Sequence, residues 1–222
     1  MVEIKENLAN KANYGKSRKT SSIKYIVVHY TANDGDTAIA NCKYFAGAGR
    51  GASAHYFVDS TEVWQSVEDR DKAWHCGSDV YYHPTCRNSN SIGIEICSHK
   101  ASKDRYYFDQ RAVELAIELT RAKMAEYGIP AANVVRHYDV THKKCPAPFV
   151  DDEQAWAEFK KALEAADDMD KYQTLNDAPE WARPTLKKLM ADGSLTGDGN
   201  GNINVTEDFC RIMVVLDRRG KL

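Results

Sequence analysis

The sequence predicts an α/β protein: a mixed central β-sheet flanked by helices, with a small, mainly helical C-terminal module. Three observations lead there. Short apolar, β-branched runs alternate with segments of helical period as far as about residue 166. The alternation stops at an acidic stretch, Asp167-Asp168-Met169-Asp170. Beyond it the pattern changes to two short helical segments around the turn GDGNGN. A chain of 222 residues has room for one mid-sized domain and an appendage. Residues 1–168 are therefore expected to form the main domain and residues 171–222 the module.

Ile23–Tyr30 (IKYIVVHY) reads as a buried strand that ends on a histidine. Thr37 to Gly47 follows as a helix, with Ile39, Ala40, Tyr44 and Phe45 at helical spacing and Asn33–Asp36 as turn and cap. Ala54–Asp59 and Glu62–Ser66 read as a hairpin turning at Ser60-Thr61. Ser91–Cys97 (SIGIEIC) is another apolar strand, interrupted by one carboxylate. Asp109 to Tyr127 is the clearest helix, stopped by Gly128-Ile129-Pro130. Val134–Arg136 is a short strand leading into the loop HYDVTHKKC, and Asp152 to Ala166 is a helix. In the module, Trp181–Asp192 and Thr206–Arg219 read as helices.

Composition excludes some functions. Nothing in the formal net charge of −2 suggests nucleic acid as a partner, which would favour a basic stripe or face. No stretch approaches the roughly 20 apolar residues of a membrane span. The first 22 residues carry no apolar run of signal-peptide length, so a product kept in the bacterial cytoplasm until something else releases it is expected. In that setting the six cysteines are expected as free thiols. Cys42, Cys97 and Cys210 read as small buried apolar groups, and a Cys76–Cys86 disulfide is the less favoured alternative.

Three residues suit one metal site. His29 ends the first strand, and His137 and Cys145 bracket a polar loop. Two imidazoles and a thiolate make a zinc set; catalytic zinc takes three protein ligands and leaves a fourth position to water, whereas structural sites are closed by four. A single histidine after an apolar strand, taken alone, is more often a packed structural residue than a ligand; His137 and Cys145 together make the stronger case. Glu95 is the second unusual feature. Alternation in a strand puts Gly93, Glu95 and Cys97 on one face and Ile92, Ile94 and Ile96 on the other. A carboxylate there is costly to bury unless paired. It reads either as a general base that takes a proton from the attacking water and passes it to the leaving amine, or as the solvated face of an edge strand. Lys143 could stabilise an oxyanion, although an ordinary loop lysine is the simpler reading.

Five segments then occur in a telling order: VVHYTA around His29, AHYFVD at Ala54–Asp59, AWHCG at Ala73–Gly77, SIGIEIC at Ser91–Cys97, and HYDVTHKKCPAP from His137. Together they resemble the zinc N-acetylmuramoyl-L-alanine amidases related to peptidoglycan recognition proteins, above all the endolysin domains of phages and prophages of Gram-positive hosts. The resemblance covers roughly residues 20–165. It implies His29, His137 and Cys145 as Zn2+ ligands, Glu95 as catalytic base and Lys143 as the transition-state lysine. The reaction implied is hydrolysis of the amide between N-acetylmuramic acid and L-alanine of the peptidoglycan stem. Some phage members carry a functional tyrosine where this chain has Ala54, so that role does not carry over. His55 is left either packed or facing the groove, and Trp74 and His75 either line the groove or, for Trp74, join the core. Cys145 favours an enzyme over a binding protein that uses the same groove. A purely structural zinc would need a fourth ligand, with His142 the nearest candidate.

The module weakly resembles a single surface-layer-homology unit, which implies wall binding or self-association as a homodimer; a two-helix cap is the plain alternative. Its Asp198–Asn204 stretch departs from a calcium loop, with Ile203 in place of the glycine and Phe209 in place of the bidentate glutamate.

Overall fold

Four parallel strands, each buried on both faces, carry the site, and two more extend the sheet on one side. The computed structural model describes residues 2–103, 105–169, 171–199 and 201–222. Asp170 of the acidic stretch and Asn200 of the glycine-rich turn lie outside the described residues. In chain order the strands are β1 (Ile4–Glu6), β2 (Tyr14–Gly15), β3 (Tyr25–Tyr30), β4 (Tyr56–Val58), β5 (Val63–Gln65), β6 (Lys72–Ala73), β7 (Ser91–Ile96), β8 (His99–Ser102), β9 (Arg105–Tyr107), β10 (Val134–Arg136), β11 (Lys171–Tyr172) and β12 (Val205–Thr206). The helices are α1 (Ala38–Ala46), α2 (Gln110–Tyr127), α3 (His137–Thr141), α4 (Ala147–Asp151), α5 (Glu153–Met169), α6 (Arg183–Ala191) and α7 (Glu207–Arg218).

The main sheet has the order β1-β5-β4-β7-β3-β10. Strands β4, β7, β3 and β10 run parallel, and β5 turns back antiparallel to β4. Their alternation divides the two faces. Ile26, Val28, Ile92, Ile94 and Ile96 join Leu115, Leu119 and Phe159 in the principal core, beneath α2 and α5. Helix α2 presents Ala112, Leu115, Ala116 and Leu119 along one stripe and ends at Gly128, whose φ of 62° suits a residue without a Cβ. On the other face α1 packs Ala38 and Cys42 against Phe57 and Cys97.

Several expectations need correction. Strand β7 lies between β4 and β3, so the edge-strand reading of Glu95 fails. The segment HYDVTHKKC is not all loop, because it opens with α3. Asp139 initiates that helix by accepting the Arg136 backbone N–H at 2.8 Å. Strand β1 and the β8–β9 pair carry no apolar alternation in IKE or HKAS and were not anticipated. Helix α5 also runs on into the acidic stretch as far as Met169.

The chain divides into two compact units, Met1–Leu163 and Glu164–Leu222. The second has its own small core, in which Ala178, Ala182 and Leu186 meet Ile203, Val205, Cys210 and Val214. Thr206 caps α7 by accepting the Phe209 N–H at 3.1 Å. Among the described residues no helix is long and apolar enough to cross a membrane.

Candidate active site

The parallel strands bring their carboxyl ends together, the usual place for a ligand site in such a sheet. His29 is the penultimate residue of β3 and pairs in register with Glu95 of β7, which in turn pairs with Phe57 of β4. His137 begins α3 directly after β10. Arg136 fixes that junction. Its buried guanidinium ion-pairs with Asp139 at 2.9 Å and Glu153 at 2.6 Å, and donates to the Phe149 carbonyl at 2.9 Å. After α3 the chain turns at His142 (φ 59°) and returns so that the Tyr138 N–H donates to the Cys145 carbonyl at 2.7 Å. This closure carries Cys145 back beside His137.

His29, His137 and Cys145 converge: one ligand atom from each lies within 4.8 Å of the others, and all three residues are buried. His29 Nδ1 is 3.6 Å from Cys145 Sγ. His137 Nδ1 is buried with no hydrogen-bond partner among the described residues. An orphaned nitrogen of this kind is expensive, and a metal ion in the cluster would satisfy it. Burial, helped by the neighbouring His137, His75 and Lys143, holds His29 well below the usual histidine range. Burial and Lys143 push His137 down to about 4. Both rings are thus neutral, the form that ligates metal. Burial, reinforced by Glu95, pushes the Cys145 thiol up. A cation in the cluster would reverse that by stabilising the thiolate. The donor set therefore fits a metal ion.

Glu95 sits beside this cluster. Its Oε2 is shielded from solvent without a hydrogen-bond partner among the described residues. Burial raises its carboxyl to about 8, with Lys143 opposing and Asp36 adding to the shift. A cavity of about 680 Å³ holds His29, Glu95, His137, Lys143 and Cys145 together. It adjoins a second of about 630 Å³, and the two share Ala52, Trp74, His75, His137 and Lys143. A larger cavity of about 880 Å³ lies among β9, α2, α4 and α5, but it contains none of the clustered donors, so chemistry rather than size places the site.

The remaining candidates separate clearly. Trp74 is 38% exposed on the groove wall, which excludes it from the core. His55 is fully buried, where it accepts the Gly93 N–H at 2.9 Å; it is a packed residue. His142 stacks on Tyr82 with ring centroids 3.5 Å apart and stands outside the donor cluster. All six cysteines are free and buried. His75 lines both cavities, in line with the groove reading, but its contact with His29 was missed by sequence reasoning: its Nδ1 lies 3.0 Å from His29 Nε2. The available signal was Gly93, since a glycine inside a strand often marks a close approach.

Residues 19–148 match the family model described as N-acetylmuramoyl-L-alanine amidase. The chain belongs to that amidase family. It is similar to the N-acetylmuramoyl-L-alanine amidase CwlL of Bacillus licheniformis, with 33% identity over 74% of this chain and 48% of that protein. It is also similar to the N-acetylmuramoyl-L-alanine amidase AmiD of Escherichia coli, with 31% identity over 57% of this chain and 49% of AmiD. The solved catalytic domain of XlyA, an amidase of Bacillus subtilis, superposes with a TM-score of 0.60 at 32% identity, covering 73% of this chain and 99% of that domain. The chain spans about half the length of the curated relatives it matches. Membership in the amidase family fits the mixed sheet and the buried donor cluster at its carboxyl edge.

Proposed function

We propose that this chain is a zinc-dependent N-acetylmuramoyl-L-alanine amidase that hydrolyses the amide between N-acetylmuramic acid and L-alanine of the peptidoglycan stem. The observation that carries the reading is the convergence of His29, His137 and Cys145 in one cavity with Glu95, where both His137 Nδ1 and Glu95 Oε2 lack partners among the described residues. Zinc, when bound by His29, His137 and Cys145, supplies Lewis-acid polarisation of the scissile carbonyl and lowers the pKa of the attacking water.

The chain's own residues do the rest. The Glu95 carboxylate takes a proton from the attacking water and returns it to the leaving L-alanine amine. Its shielded setting raises its basicity toward the working range of such a group. Lys143, on the wall of the same cavity, places a cation near the oxygen that becomes negative as water adds. Trp74 offers an exposed indole face along the groove to the glycan or stem peptide. The second unit is assigned to wall binding or self-association, in keeping with Ile212 and Val215, one helical turn apart and exposed on α7.

A closed structural zinc would need a fourth protein donor. His142 is committed to its stack on Tyr82, and none other joins the cluster among the described residues. The test is digestion of purified Gram-positive walls by the zinc-loaded chain, with and without chelator, mapping the new termini. Free L-alanine amino groups that appear only with metal are expected. No release from walls of several chemotypes, despite stoichiometric zinc, would overturn the proposal.

A further inference from the structure

His29 can serve the cluster only through a nitrogen that carries no proton. We infer that His75 and Ser91 form a positioning relay that fixes the His29 tautomer, keeping the proton on Nε2 and the Nδ1 lone pair turned toward the metal. The inference rests on the metal reading of the site given above.

The direction of the relay is set at its far end. Ser91 Oγ lies 2.7 Å from the Arg87 carbonyl oxygen, which can only accept. The single hydroxyl proton of Ser91 is spent there. Toward His75 Nε2, 3.2 Å away, Ser91 is therefore the acceptor, and His75 donates from Nε2. A neutral imidazole protonated at Nε2 accepts at Nδ1. His75 Nδ1 is 3.0 Å from His29 Nε2, so His29 donates from Nε2. The remaining nitrogen of His29, Nδ1, then faces Cys145 Sγ at 3.6 Å with its lone pair free. A backbone carbonyl, whose role cannot change, thus selects the protonation pattern of a ring three hydrogen bonds away.

The seat of His75 is built for the purpose. A Cβ on Gly93 would lie 2.6 Å from His75 Cγ, so any other residue there would push the ring off β7. The Asn88 side-chain oxygen accepts the backbone N–H groups of both His75 (3.2 Å) and Cys76 (2.9 Å), which anchors the backbone that carries the ring. Ser91, Gly93 and Glu95 alternate onto one face of β7. That face therefore supplies the anchor of the relay, the room for its middle member and the carboxylate beside the metal cluster. Partners of this sort orient a ligating histidine, and losing one typically lowers metal affinity about 10–100-fold.

The test uses the full chain labelled with 15N-histidine. Two-bond 1H–15N correlation spectra of the metal-free protein show which ring nitrogen carries each proton. His29 and His75 are both expected to be protonated at Nε2. In His75→Ala, His29 loses that preference, and zinc affinity measured by competition with a chromophoric chelator falls about 10–100-fold while the circular dichroism is unchanged. Ser91→Ala shifts His75 away from its Nε2–H form and lowers zinc affinity in the same direction, which keeps the inference testable if His75→Ala folds poorly. A wild-type His29 protonated at Nδ1, or a folded His75→Ala that binds zinc within about twofold of wild type, would overturn the relay. Failure of the wild-type chain to take up zinc would instead sink the metal reading, and the metal-free spectra would still decide the tautomer.

Discussion

Replacing Glu95 with glutamine should separate catalysis from stability in opposite directions. The change keeps the shape of the side chain and removes its charge. In the metal-free chain the carboxyl titrates at about 8 rather than 4.5, chiefly through burial. Because the folded state holds the proton more tightly, stability from this group is intact below about pH 4.5 and is lost as pH rises toward 8. Integrated to pH 7, the penalty is at most about 3 kcal/mol, with water in the groove screening part of it. Glu95→Gln breaks no hydrogen bond at Oε2 that the described residues provide, so it should recover much of that penalty. Metal-free Glu95→Gln should therefore resist urea better than wild type at pH 7, with the advantage vanishing near pH 4.5. Turnover of cell walls by the zinc-loaded variant should fall about 10²–10⁴-fold, the usual contribution of a general acid–base group. Activity within about tenfold of wild type would remove Glu95 from the mechanism. A stability gain independent of pH would show that the carboxylate pays no burial cost in the groove.

Three further outcomes are expected. Asp59 accepts the Ala38 N–H at 2.8 Å at the start of α1 and also bonds Thr61 and the Glu62 N–H, so Asp59→Ala should cost about 1–3 kcal/mol by urea denaturation. Burial would raise this carboxyl, but those hydrogen bonds outweigh it and hold it below the usual range; its contribution is present above about pH 4 and should disappear as pH falls through the depressed folded value, and a pH-independent loss in the variant would contradict this. Zinc at about 100 times its dissociation constant should stabilise the chain by about 2.7 kcal/mol in a thermal melt, reversed by chelator and absent in His137→Ala; an unchanged melting curve would count against the donor cluster. Gly93→Ala should displace His75 and weaken zinc binding without loss of the core, and unaltered affinity in a chelator competition would show that the ring does not need that space.

Local pattern was enough to read the central elements and the chemistry of single positions. The run IKYIVVHY is apolar on both faces, so it had to be an interior strand, and its histidine had to sit near one end. Period-2 alternation set Glu95 opposite the isoleucines of β7, and Gly128 marked where α2 stops. These are properties of residues a few positions apart, where backbone geometry alone fixes which side chains share a face. Tertiary packing decided everything that depends on distant partners. The insertion of β7 between β4 and β3 turned Glu95 from a residue on a wet edge into a shielded carboxylate. The short strand β1 exists because β5 offers it a parallel edge, not because IKE favours a strand. The closure after α3 brought Cys145 to His29, and the hydrogen bond from Ser91 to a backbone carbonyl set the direction of the chain through His75. Strand order, burial and tautomer are set by contacts between elements, and a periodicity along one element carries no information about which neighbour will cover it.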